Sequence, residues 1–296
     1  MSPKTACIAG EEVYRQWEAE RLTGKSLGCR KTPFGTTGEI FLIEVEGQSF
    51  HLLPRYGKGI RKTSPAIIND RANMYALKDL GIDHVLAWGA AGSITHNVAV
   101  GDLVILSDVI DFTHLRQNTF FEDSPLGYLR EFPVFCPTLR RVAGEVLHDM
   151  KLVYHGSGTV AVREGPRLET PAEVRMLATI GAEVVTHTFV PEVFLAKELG
   201  LCYAAICYVV NYAETGSRHR PFATGELFGG LTQQSDVDRL AGVVSSMSQI
   251  VANLARVLES AEKICECSQS MAAHCRQYDL PDDWRQWFNR PRTDRT

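Results

Sequence analysis

Residues 201–212 read LCYAAICYVVNY and are apolar at almost every position. A strand with one wet face alternates apolar and polar side chains. A strand covered on both faces does not need to alternate, and such strands sit in parallel sheets beneath helices. Further short apolar runs occupy Thr5–Ala9, Ile40–Val45, Ser49–Leu53, His84–Trp88, Leu103–Thr113, Gly158–Val162 and Ala182–Thr186. Helical signals separate several of them. Thr170-Pro171-Ala172-Glu173 is a capping box with proline at the first helical position, and Gly181 closes the segment. Pro191 opens PEVFLAKELG, ended by Gly200, and Pro137 opens PTLRRVAGEVLHD. From Leu240 to Leu258, apolar residues recur at gaps of three and one, one face of a long amphipathic helix covering the sheet. This alternation predicts a single α/β domain over residues 1–260. Residues 261–296 form a C-terminal extension. From about Met271 it carries prolines, acidic residues and the aromatics Trp284, Trp287 and Phe288. It is either loosely ordered or docked through those rings on its own subunit or a neighbour.

Composition narrows the function. With 296 residues, 45% apolar and 22% charged, the chain can bury a real core without staples and is not disordered. A formal charge of −4 argues against a protein that coats nucleic acid or anionic lipid. No run approaches the ~18 apolar residues that span a bilayer. The opening MSPKTACIAGEEVYRQWEAE is not a secretory signal, because acidic residues interrupt it. A soluble cytoplasmic protein is expected. Of eight cysteines, Cys202 and Cys207 fall within an apolar run and read as core. Cys265-Glu-Cys267 and Cys275, with His274 adjacent, do not form a standard zinc spacing. They read as structural or free thiols, with no metal expected.

Four stretches fall at expected strand ends, where open α/β sheets bind ligands. They are LPRYG (Leu53–Gly57), AWGAAGS (Ala87–Ser93), EGPRLET (Glu164–Thr170) and THTFVPE (Thr186–Glu192). None is a phosphate-binding P-loop or a dinucleotide fingerprint. Taken with NDRANMYALKDLG, GDLVILSDVIDFT, TFFED, FCPTLR, GPRLETPAEVRML and VVNYA, their order resembles that of the trimeric nucleoside phosphorylases. That family includes purine nucleoside and methylthioadenosine phosphorylases. The resemblance runs from about Thr5 to Leu258. It implies a central mixed twisted sheet flanked by helices and a homotrimer whose subunits complete one another's pockets. It also implies cleavage of a purine nucleoside's N-glycosidic bond, with phosphate as co-substrate and no other cofactor.

The resemblance assigns residues unevenly. Asn211 stands where the family places Asn or Asp against the purine. An amide donates to an oxygen at C6 and accepts from N7–H, whereas a carboxylate only accepts. With Ala213, it leans toward a 6-oxopurine. Glu169 matches a carboxylate that holds the base edge, and Leu168 replaces a stacking Phe. The phosphate contacts are altered. Glu11 occupies the position of a phosphate-binding hydroxyl, and a carboxylate there repels a dianion. Arg55 is retained, to bind an anion or to pair with Glu11, but its neighbour is Tyr56 and a nearby His position is Ile60. Gly89, preceded by Trp88, replaces a Thr, while Ala90 and Thr188 keep the pattern. Around the sugar, His187 replaces a Met, Gly225 a His for the 5′-hydroxyl, and Tyr128 a His that reaches the neighbouring subunit. Losing both histidines implies a 5′ group that is larger or modified.

Three readings follow. The first is phosphorolysis, with Arg55 and Thr188 holding phosphate. The second is hydrolysis, with Glu11 activating water as general base. The third is a silent nucleoside-binding homologue whose phosphate pocket is plugged by Trp88 and Tyr56. Because Asn211 and Glu169 persist where the phosphate contacts change, the residues favour retuned chemistry over decay.

Overall fold

A strand covered on both faces becomes the middle of a sheet, and the longest apolar run does so here. In the computed structural model, which describes residues 3–10, 24–57, 63–213 and 234–288, the strands are β1 (Thr5–Ala9), β2 (Gly24–Gly28), β3 (Lys31–Thr32), β4 (Gly35–Thr36), β5 (Ile40–Val45), β6 (Gln48–Pro54), β7 (His84–Ser93), β8 (Leu103–Ile105), β9 (Asp108–Phe112), β10 (Tyr154–His155), β11 (Thr159–Arg163), β12 (Val184–Thr186) and β13 (Cys202–Tyr212). The helices are α1 (Asp70–Asp79), α2 (Pro137–Asp149), α3 (Pro171–Thr179), α4 (Glu192–Glu198), α5 (Gln234–Ser245), α6 (Met247–Leu258) and α7 (Ala272–Tyr278).

The main path of the large sheet is β10-β8-β13-β7-β1-β6-β5-β2. It is mixed: β1 is parallel to β6 and β7, and β13 is parallel to β7, while β8 is antiparallel to β13. A branch leaves the far end of β7, where Gly92 and Ser93 pair antiparallel with β12, and β11 and β9 follow. Helices α1 and α4 cover one face, burying Met74, Leu77, Val193 and Leu195. Helices α2 and α6 cover the other, with Leu139, Val142, Ile250 and Leu254 at 0% exposure. Each such side chain contributes ~1.5–3 kcal/mol by leaving water.

Two expected elements divide. The apolar run Leu103–Thr113 forms β8 and β9, because the chain changes partners: Leu106 donates to Ala205 of β13, then Ser107 to Gly158 beside β11. The single helix expected over 240–258 is two, α5 and α6, bent by 41°. At the break, the Ser245 and Ser246 hydroxyls donate to the carbonyls of Gly242 and Val243, competing with the helical ladder. No single described helix is long and apolar enough to cross a membrane.

The C-terminal extension docks on its own chain. Cys265 joins one core layer, and Met271 and Leu280 join the other. The Phe288 ring packs on Phe34, Tyr75, Phe120 and Phe121, and Trp284 packs on Tyr75. The extension is therefore an arm of one domain.

Candidate active site

Parallel strands that share a direction also share an edge, so the loops leaving β1, β6, β7 and β13 crowd together. A cleft opens there. It collects Asn211, Glu169, Leu168, His187, Ala90, Arg55, Tyr56, Gly89 and Thr188. Most of the residues that the family resemblance assigns are thus brought to one place. Tyr128 is not among them: it lies 84% exposed beside a second cavity. Glu11, Ile60 and Gly225 lie outside the described residues.

Asn211 owes its position to a bulge. β13 runs in register with β7 until Val209 pairs with Ala91, after which Asn211 pairs with Gly92 and Val210 is the extra residue. A bulge re-aims the side chains that follow it, and here it delivers Asn211 to the cleft at 8% exposure. Gly92 leaves it room, since a Cβ there would stand 2.9 Å from Asn211 Oδ1.

Glu169 immediately precedes the capping box of α3. The Thr170 hydroxyl accepts from the Glu173 amide at 3.2 Å, and the Glu173 carboxylate accepts from the Thr170 amide at 2.8 Å. This fixes the chain one residue from Glu169, whose side chain is 8% exposed with Oε1 3.2 Å from His187 Nε2. The purine-edge carboxylate and the sugar-side imidazole assigned above are therefore hydrogen-bonded to each other.

Gly89 lines the same cleft, beside the turn after β12. Thr188 Oγ1 is 3.0 Å from Thr186 Oγ1, which donates to the Ala90 carbonyl. The guanidinium of Arg55 is almost fully engaged. Nε donates to Glu192 Oε1 at 2.5 Å, Nη2 to Glu192 Oε2 and Ile8 O, and Nη1 to Trp88 O. Glu192 also accepts from the Tyr203 hydroxyl at 2.7 Å. Burial alone would lower the Arg55 pKa, but the Glu192 carboxylate holds it above its usual value. Asp70 adjoins this network. Burial, then the Glu192 charge, push its carboxyl well above the usual range, against Arg55 and Arg116. The cation that the sequence offered for an anion thus has an internal counter-ion, Glu192. Nothing in the local pattern marks this partner, because Glu192 reads as an ordinary first-turn acid of α4.

Trp88 does not line the cleft. It is fully buried and stacks on Tyr208 with ring centres 5.5 Å apart. Tyr56 does line it, so the plug envisaged from sequence loses one of its two residues.

Among the described residues, one set of metal-ligating side chains gathers away from the cleft: Cys136, Cys202, Cys265 and Cys267. Spacing along the chain missed it, because two members come from distant segments, while Cys275 and His274 stay outside.

A mixed sheet flanked by helices, with a cleft at its parallel strand ends, is the frame on which the comparisons with known proteins bear. Residues 28–256 match the phosphorylase superfamily, and the chain belongs to that family. It is 38% identical over 218 residues to the probable 6-oxopurine nucleoside phosphorylase of Thermococcus kodakarensis, covering 71% of this chain and 80% of that one. To the probable S-methyl-5′-thioinosine phosphorylase of Methanothermobacter thermautotrophicus it is 39% identical over 206 residues, 70% of each. The methylthioadenosine phosphorylase from Schistosoma mansoni in complex with adenine shares its fold, with TM-score 0.76 and 27% identity over 94% of this chain and 99% of that one.

Proposed function

We propose that this protein cleaves the N-glycosidic bond of a purine nucleoside by phosphorolysis, with a 6-oxopurine as the preferred base and a modified 5′ position on the sugar. One observation carries the reading: a single cleft is lined by Asn211, by the hydrogen-bonded Glu169–His187 pair and by Arg55, Gly89 and Thr188. Asn211 would donate to the base oxygen and accept from N7–H as negative charge builds on the departing purine. Glu169 would accept from the base edge, and His187 would lie against the sugar. Thr188 and the remaining Arg55 N–H would meet the phosphate, which needs positioning more than activation. The names of the relatives support this chemistry. No organic cofactor enters it. The reading includes a cytoplasmic homotrimer in purine salvage, in which the exposed Tyr128 would face a neighbouring subunit.

The Arg55–Glu192 pair favours a second reading. A neutralised cation attracts phosphate weakly, and water with Glu11 as base would not need it.

The test is purine release from inosine, adenosine, methylthioinosine and methylthioadenosine, with and without phosphate. Release that requires phosphate and is fastest from a 6-oxo substrate is expected. Equal release in phosphate-free buffer would replace phosphorolysis with hydrolysis, and no release from any of the four would leave only binding.

A further inference from the structure

Four sulfurs converge behind the start of β13. Cys136 caps α2, Cys202 begins β13, and Cys265 and Cys267 stand at the root of the C-terminal arm. All four Sγ atoms lie within 4.8 Å of one another. Cys202 and Cys265, separated by 63 residues, are 3.5 Å apart. A disulfide needs about 2.05 Å, whereas tetrahedral zinc with Zn–S of about 2.3 Å puts its sulfurs ~3.8 Å from one another. The spacing fits a shared ion better than paired bridges.

We propose that Cys136, Cys202, Cys265 and Cys267 form a structural tetrathiolate zinc site. The surroundings suit anionic sulfur. Cys136 Sγ accepts the Leu139 amide at 3.5 Å from the N-terminal turn of a thirteen-residue helix, so the helix dipole favours negative charge there. Four thiolates around a dication carry a net −2. Three of the cysteines are buried and the fourth is half-buried, which closes the site to water. A closed four-sulfur set leaves no open position for chemistry, so the ion's role is to hold structure. Loading Zn²⁺ sends the four thiol protons to solvent and changes no oxidation state.

The site would rivet the arm to the sheet. Cys265 and Cys267 begin the segment that runs through Met271 and Leu280 to the Phe288 ring. Cys202 directly precedes Tyr203, whose hydroxyl bonds Glu192 behind the cleft.

The experiment uses the full-length chain, produced without a metal-chelating tag in zinc-supplemented medium. Mass spectrometry of the metal content is expected to show one zinc per chain, lowered about tenfold or more in Cys267→Ser. Titration of the native protein with an organomercurial, read with a zinc indicator dye, is expected to release that zinc as four thiols react. This second measurement does not depend on a variant folding. Cobalt reconstitution should give thiolate-to-metal charge-transfer absorption. A zinc-free protein after supplementation overturns the proposal. So does a non-reducing intact mass that shows bridges among these four cysteines.

Discussion

Arg55 Nε donates to Glu192 Oε1 at 2.5 Å, and the two side chains are 2% and 3% exposed. Removing one member of a buried ion pair strands the other's charge, which costs more than the pair contributes. Glu192→Gln is expected to lower unfolding free energy by ~3–5 kcal/mol in urea titration. A loss smaller than about 1 kcal/mol, the usual value of an exposed pair, would mean that the guanidinium finds another partner.

In the proposed function, Asn211 would decide between purines through its amide. Asn211→Asp exchanges a donor for a second acceptor, which suits a 6-amino group and opposes a 6-oxo group. The ratio of kcat/KM for inosine over adenosine is expected to fall by about tenfold to a hundredfold, the value of one charge-assisted hydrogen bond at ~1.5–3 kcal/mol. An unchanged ratio would detach Asn211 from the base.

Much of the fold is legible in the chain itself. Both-face burial of residues 201–212 marks the sheet centre, and Thr170–Glu173 announces a cap whose two hydrogen bonds are both present. What escaped depends on contacts that local pattern does not encode. The β2 to β4 segments are short, polar and mostly exposed, so no periodicity marks them. The bulge at Val210 appears only once β7 lies alongside β13. Glu192 and Arg55 are 137 residues apart. The cysteine cluster likewise needs α2, β13 and the arm to meet.

Gly89 leaves no room for the threonine that the family resemblance puts at its position. A Cβ at this position would lie 2.7 Å from the Phe189 ring and 2.8 Å from Thr188 Oγ1. Phe189 is 1% exposed at φ 76°, so it has little room to retreat. Gly89→Thr, made to supply a phosphate-binding hydroxyl, is expected to destabilise the protein by ~1–3 kcal/mol through overpacking. It should also leave the KM for phosphate no better. A stable variant with a lower KM would show that the Phe189 turn yields.

Glu198 ties stability to pH. Its side chain lies in the core at 4% exposure, where Oε2 accepts the Phe120 amide at 2.7 Å and Oε1 accepts the Thr119 hydroxyl. Burial pushes its pKa up to about 7, and Glu131 adds to the rise, while those two hydrogen bonds and Arg71 oppose it. The folded chain therefore keeps a proton that the unfolded chain, titrating near 4.5, has already released. That linkage stabilises the fold fully below the unfolded pKa and is lost as pH rises through about 7. At 1.36 kcal/mol per pKa unit, the loss approaches ~3 kcal/mol across that window. Glu198→Gln removes the titration. Its unfolding free energy relative to wild type is expected to rise between about pH 5 and about pH 8, read from urea midpoints at both. Parallel pH profiles for the two proteins would assign the proton elsewhere.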